Sequence, residues 1–530
     1  MVSKNLAEIL QGHVTLELEG IDRMYLNGYV PSLQTGAGFA YFLREQLGYP
    51  IASTAMIAPM SRAFVAGIEQ FVAEQELDLV RFRKGERKDD VAQAYLKAFE
   101  GAEGVLFVGK AQEKASVFRT EKRTNEAGVK YPWIIRSTAM VNHYYFYILD
   151  RDFGPLFIKF CAYFPYAIKV CLNGHEWLKR QLDKRGLPYE ALDNGILSCN
   201  DPRAVQRLAD RLDEKKIEAV FRKWLRRLPH PFAPKHRAAG YRYRLSILQA
   251  EFALTQVLDR PLTGRSFFEQ AIRENLDLGR PDRVQLIFAR RVTRRTPGRF
   301  RTRVLTDGVV PSLHVQYKAS DIKQYFKENR GLRTETTINN TYDFDIGRSL
   351  GNLAALRQIG FQANRRLLRV QQLSHDCLIG EDRFRAVADP IVEADQRISG
   401  LRFAEPRVMA LMQALCRFAL PANGFRHREL RPLVAQLLGL DHTGYSANQM
   451  TYDLRRLRGH GLIERLPGTH RYRITDTGAR AALLYSRLYT RAIRPVFSLA
   501  SSAVLAPQRS TLGRLQRSLD NYLQEVQLAA

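Results

Sequence analysis

The chain has 530 residues, 45% hydrophobic and 25% charged, which is ordinary for a folded globular protein and long enough for several domains. Lysine and arginine number 81 against 54 acidic residues, a formal charge of +27 with a sequence pI near 10.0, so a polyanionic partner is expected, nucleic acid before a membrane surface. No apolar run is long enough to span a bilayer, and the N-terminal MVSKNLAEILQGH lacks a signal peptide's apolar core; a cytoplasmic protein with no membrane partner is expected. The five cysteines, Cys161, Cys171, Cys199, Cys377 and Cys416, form no C-x-x-C pair, which opposes a disulfide framework or a zinc finger and fits small buried residues.

Residues 1–115 alternate between strand and helix patterns. Strands are predicted at 14–18, 24–26, 79–82 and 105–108, and helices at 38–47, 60–76 and 90–99. That alternation implies an α/β portion with a largely parallel sheet covered by helices. Gly36-Ala37-Gly38 lacks the full dinucleotide or P-loop pattern and reads as a tight turn before a helix.

Residues 116–280 read as a β-hairpin followed by a helical region. The aromatic run 141–148, the turn Asp150-Arg151-Asp152-Phe153-Gly154 and the returning run 156–160 form the hairpin. A helix is predicted over 166–185, and helices dominate from 202 to 278. Aromatics beside basic residues can stack on unpaired bases, although such strands also build cores.

Residues 281–400 change to a period of two. Strands are predicted at 284–288, 300–305, 313–317 and 332–338, giving an antiparallel sheet, and a helix at 347–373 carries Arg365, Arg366 and Arg369. Between the first two strands lies the densest basic stretch, with Arg290, Arg291, Arg294, Arg295 and Arg299, placed at a turn where it suits phosphate contact. A looser connector covers 388–400.

The most specific signal lies in residues 401–498. A helix over 406–420 places Val408, Leu411, Met412, Leu415 and Phe418 on one face. A second runs over 427–438, with Pro432 as a blemish that favours a start nearer Arg431. A third follows the N-cap candidate Ser446 with Ala447, Met450, Leu454 and Leu457 inward, leaving Asn448, Gln449, Tyr452, Arg455 and Arg456 outward. Two β-prone runs around Pro467-Gly468 form a hairpin carrying Arg465, His470, Arg471 and Arg473, and a last helix starts after Asp476. This order resembles the winged-helix families of bacterial DNA-binding proteins. The resemblance implies base contacts from Asn, Gln and Arg of the third helix and phosphate or minor-groove contacts from the hairpin. A purely protein-binding use of such a unit is the alternative. Residues 499–530 read as a helical tail.

Catalysis is the competing hypothesis. A nuclease would need clustered carboxylates to hold Mg2+, and Glu86, Asp89, Asp90, Glu113, Asp150 and Asp152 are the candidates. Glu86-Arg87-Lys88 has the Glu-x-Lys spacing of one large nuclease class. A tyrosine nickase would use Tyr325 with Lys327 nearby. The segment 322–328 followed by Leu332-Arg333-Thr334-Glu335 looks like a stretch of some rolling-circle replication initiators, although the chain lacks their His-x-His pair. YPWIIRSTAMVNHYYFYILDRDFGP and KVCLNGHEWLKRQL are similar to a widespread group of uncharacterised bacterial proteins, which implies no mechanism. The expectation is a multidomain α+β protein that binds DNA or structured RNA. The alternatives are a metal-dependent nuclease or tyrosine nickase of a mobile element, and a non-catalytic ribonucleoprotein scaffold.

Overall fold

The computed structural model describes residues 12–489 except Lys84 and the stretches 262–267, 269–270, 273–277, 279–280, 291–295, 297–300, 306–310, 328–329, 376–380, 394–395, 417–423, 441–443. The fold is mixed α+β, and the chain divides into two compact units, Met1–Arg369 and Val370–Ala530.

The first unit is built on one sheet. In chain order its elements begin with β1 (Val14–Tyr29), α1 (Gly36–Tyr41), α2 (Ala58–Glu74), β2 (Leu79–Arg81), α3 (Lys88–Ala98), β3 (Gly104–Thr124), β4 (Lys130–Asp150), β5 (Gly154–Cys161) and β6 (Ile168–Asn173). Next come α4 (Gly174–Asp183), β7 (Tyr189–Leu192), β8 (Gly195–Cys199), α5 (Pro202–Ala209), α6 (Glu214–Arg227), α7 (Pro234–Ala238) and β9 (Arg244–Leu258). The last are α8 (Pro281–Phe288), β10 (Thr302–Leu305), β11 (Ser312–Tyr317), β12 (Ser320–Lys327), β13 (Gly331–Ile338) and α9 (Leu353–His375), within which the division between the units falls.

Eleven of these strands form the sheet, in the order β10-β11-β12-β13-β9-β1-β6-β5-β4-β3-β2. Every pairing in it is antiparallel except β2 with β3, which corrects the largely parallel sheet expected for the N-terminal portion. The two strands expected at 14–18 and 24–26 are one, because a bulge between Ile21 and Met24 absorbs the polar interruption without a turn. The sheet also runs across the domain boundaries expected at 115 and 280.

Three further differences have physical causes. Residues 168–173 are strand rather than helix, since Ile168, Val170 and Leu172 are buried at a period of two. The helix starts only at α4, where the Asn173 side chain accepts from the N–H groups of His175 and Glu176 at 2.8 and 3.2 Å. Residues 244–258 are also strand: β9 lies between β1 and β13 and is buried along most of its length on both faces, which hides its period. Conversely 284–288 belongs to helix α8, and Val284, Ile287 and Phe288 are buried at helical spacing.

One face of the sheet is packed by helices. Phe64 of α2 meets Phe160 with ring centroids 5.6 Å apart, and Phe361 of α9 meets Phe252 edge-on at 5.9 Å. Asn364 of α9 donates to the Phe252 carbonyl at 2.8 Å and accepts from Thr336 at 2.6 Å, so this buried amide is satisfied. The glycines at α1 serve packing: a Cβ on Gly38 would lie 1.8 Å from the Ser32 carbonyl oxygen, and one on Gly36 2.5 Å from that of Ile134. No helix among the described residues is long and apolar enough to cross a membrane.

The second unit continues with α10 (Glu381–Ala388), β14 (Ile391–Glu393), β15 (Gln396–Ile398), α11 (Pro406–Leu415), β16 (Phe425–Arg426), α12 (His427–Leu437), α13 (Ala447–Gly459), β17 (Ile463–Arg465), β18 (Arg471–Ile474) and α14 (Asp476–Leu488). The connector expected at 388–400 is the β14–β15 hairpin. Val408, Leu411, Met412, Leu430, Val434, Met450, Leu454, Leu457, Ala482 and Tyr485 form a core of its own. The expected positions Cys377, Phe418 and the tail 499–530 lie outside the described residues.

Candidate nucleic-acid interface

Three helices and a small sheet place the basic side chains. α12 starts at His427 despite Pro432, because Glu429 closes its first turn by accepting from the Arg426 N–H at 2.8 Å. α13 starts as its sequence predicts: Ser446 accepts from the Gln449 N–H at 3.2 Å, and the Gln449 side chain accepts from the Ser446 N–H at 2.7 Å. The strand β16 pairs with β18, which pairs with β17. Gly424 makes that approach feasible, with φ of 58° and space for no Cβ, which would lie 2.1 Å from the Tyr472 carbonyl oxygen.

Along α13, Asn448, Gln449, Tyr452 and Arg455 are exposed, as the periodicity predicts. Arg456 is not. It is 5% exposed and reaches the Ser399 and Gly400 carbonyls, with Asp453 at 3.5 Å and Glu405 at 3.6 Å. Asp453 itself is fully buried and also accepts from Arg407 at 2.7 Å and from the Tyr445 hydroxyl. The inward stripe therefore carries a buried ion pair, which a hydropathy reading assigns to the surface by residue type. Ala447, expected inward, is exposed. The β15 side of the unit also reaches α13: Tyr452 donates to the Ser399 hydroxyl at 3.1 Å, and Arg455 donates to Gln396. The N-terminal half of α13, with Asn448 and Gln449, stands clear of those contacts.

The β17–β18 hairpin exposes Arg465, His470 and Arg473. Arg465 donates to the Thr469 carbonyl at 2.9 Å, which stiffens the turn, and Arg473 pairs with Glu464 across the strands at 2.7 Å. Arg471 faces inward by comparison and donates to the Gly424 carbonyl at 2.9 Å. Arg458, one turn beyond Arg455, and Arg428 at the start of α12 are exposed arginines that the sequence reading did not single out. The three-residue spacing of Arg455 and Arg458 was the available signal.

No family model, curated protein or solved structure matches this chain.

The other candidate residues are dispersed over the first unit. Arg290 is held against the protein, with Asp345 at 3.0 Å and the Phe344 carbonyl, and it follows a helix rather than a strand. Arg291, Arg294, Arg295 and Arg299 lie outside the described residues. Glu86 accepts from the Arg83 N–H at 2.9 Å as a turn residue, and Asp89 and Asp90 occupy the first turn of α3, where they complement the helix dipole. Glu113 on β3 accepts from Lys88 at 2.6 Å, from Lys159 at 2.8 Å and from the Tyr145 hydroxyl. Burial alone would raise its carboxyl, but these hydrogen bonds and the Lys159 charge outweigh it and hold the group at about 2. Asp150 is buried and accepts from Lys223 and the Trp224 indole, both at 2.7 Å, whereas Asp152 pairs with Lys184. Among the described residues no three His, Cys, Asp or Glu side chains come together where they could hold a metal ion.

Tyr325 donates to Glu335 at 2.9 Å. Burial and the Glu335 charge push its hydroxyl well above its usual range, which disfavours the phenolate a nickase needs. Its neighbour Arg333 is fully buried and binds Asp22, Glu335, the Asn194 carbonyl and His175 Nε2, the last at 3.0 Å. Burial and the Arg333 charge hold His175 neutral, so its ring nitrogen accepts from the guanidinium. The cluster joins β1, β13, α4 and the β7–β8 turn as a structural tie.

Proposed function

We propose that Val370–Ala530 contains a winged-helix unit and that the protein binds DNA or structured RNA through it. The observation that carries this reading is the strand order β16-β18-β17, with β16 set between the first and second of three helices and the β17–β18 hairpin following the third. In that arrangement α13 is the helix for the major groove, with Asn448 and Gln449 at its N-terminal end as the base readers and Arg455 and Arg458 behind them. Arg465, His470 and Arg473 then belong to the wing and meet the backbone. The formal charge of +27 supports the same partner.

Binding without cleavage is the better-supported form of this activity, since Glu113 and Asp150 are engaged by lysines and Tyr325 by Glu335. The test starts with the nucleic acid that co-purifies with the full chain, which sequencing identifies. Fluorescence anisotropy with that sequence then compares wild type with Asn448→Ala and with Arg455→Ala/Arg458→Ala. A good base contact is worth about 1–3 kcal/mol, so a drop of roughly 5- to 150-fold per contact is expected. Unchanged affinity removes α13 from the interface.

A further inference from the structure

A second cationic feature lies in the first unit, where α6 and α7 meet the segment leading to β9. A cavity of about 560 Å³ opens there, and its lining includes Arg222, Arg226, Arg237 and Arg242 but no carboxylate. Arg222 and Arg226 are one helical turn apart on α6 and share a face. Backbone carbonyls hold three of the guanidinium groups in place: Arg222 donates to Tyr243 at 2.9 Å, Arg226 to Arg222 at 3.2 Å and Arg242 to Arg237 at 2.9 Å. Glu218 pairs with Arg222 at 2.6 Å from outside the cavity. His230 on the wall accepts the Phe232 N–H through Nδ1 at 3.0 Å, which leaves its Nε2–H as a further donor. Leu225, Pro234 and Ala238 supply an apolar surface beside these donors.

We propose that this cavity binds a nucleoside phosphate, with the phosphate on the guanidinium groups and the base against Leu225 and Pro234. Arg226, Arg237 and Arg242, with Arg222 partly offset by Glu218, surround one concavity and focus a positive potential into it, which an anion relieves. Arginine's planar donor fork matches phosphate oxygens, and the cavity has the volume of a small-ligand site. The source of the group is either a free nucleotide or the 5′-phosphorylated end of a single strand. Every residue lining the cavity belongs to the first unit.

The experiment titrates the full chain by isothermal calorimetry with ATP, with a 5′-phosphorylated oligothymidylate and its unphosphorylated counterpart, and with inorganic phosphate. Tighter binding of ATP, or of the phosphorylated strand over its counterpart, supports the site and names the source. Arg237→Glu and Arg242→Glu should each weaken that probe at least tenfold with an unchanged melting temperature. Arg455→Ala/Arg458→Ala should leave it within twofold. Arg242→Lys, which keeps the charge and loses the fork, should weaken it less than Arg242→Glu. Two results overturn the proposal: no probe binding tighter than inorganic phosphate, or affinity unmoved by charge reversal at both positions.

Discussion

Arg455 and Arg456 are adjacent in sequence and opposite in role. Arg455 stands exposed, whereas Arg456 is buried against Asp453 and two carbonyls. Arg456→Ala leaves the Ser399 and Gly400 carbonyls without their donor while Asp453 keeps Arg407, so it should destabilise the second unit by about 1–3 kcal/mol, visible as a lower melting temperature. Arg455→Ala should leave that temperature unchanged and lower only binding. Glu113 makes a second residue-scale prediction. Its folded-state value of about 2 lies below the unfolded one, so the stabilisation is complete above the ordinary glutamate range, roughly pH 4.3, and is lost as the pH falls toward 2. Glu113→Gln should therefore destabilise at pH 6, and the difference from wild type in thermal unfolding should shrink by pH 2.5. An equal difference at both pH values would locate the effect in packing instead.

At the scale of elements, what was legible in the sequence was what is local. The helix α13, its Ser446 cap and the hairpin around Pro467-Gly468 follow from spacing and turn chemistry within a few residues. The short strand β16 was not legible, since its two residues become a strand only by pairing with β18. β9 was misread for a related reason: its partners β1 and β13 lie far away in sequence, and a strand buried on both faces loses the alternation that would mark it; β6, which pairs with the preceding β5 as well as with β1, was read as part of the helix that starts only at α4. Gly424 tests the β16 pairing. Gly424→Ala should destabilise the second unit, because the added Cβ meets the Tyr472 carbonyl oxygen and φ is positive. The hairpin carries its own prediction. Replacing Arg465 and Arg473 with Ala should reduce the log-log salt slope of binding by about 0.7–0.9 per lost phosphate contact. An identical slope would take the hairpin off the backbone.

At the scale of the whole molecule, the second unit has a core of its own, from Val387 to Tyr485. Arg456→Ala should therefore lower one calorimetric transition and leave the transition of the first unit in place. The first unit is joined differently. Its sheet is stitched by strands that meet late: Leu16 pairs with Val257 and Gly28 with Leu245, and β9 then pairs with β13. Sequence periodicity carries no record of such pairings, which is why the parallel alternation read from the first hundred residues failed. The same stitching governs how the protein is made. During synthesis β1 leaves the ribosome long before β9 exists, and at about 5–20 residues per second its edge waits roughly 10–45 s for that partner. Until then the strand that will lie at the heart of the sheet exposes unpaired backbone and apolar Leu16, Leu18 and Leu26 to any other nascent chain. Production of the intact protein in cells thus depends on what shields that edge during translation, and a chain stopped short of residue 244 is left with a permanently open seam.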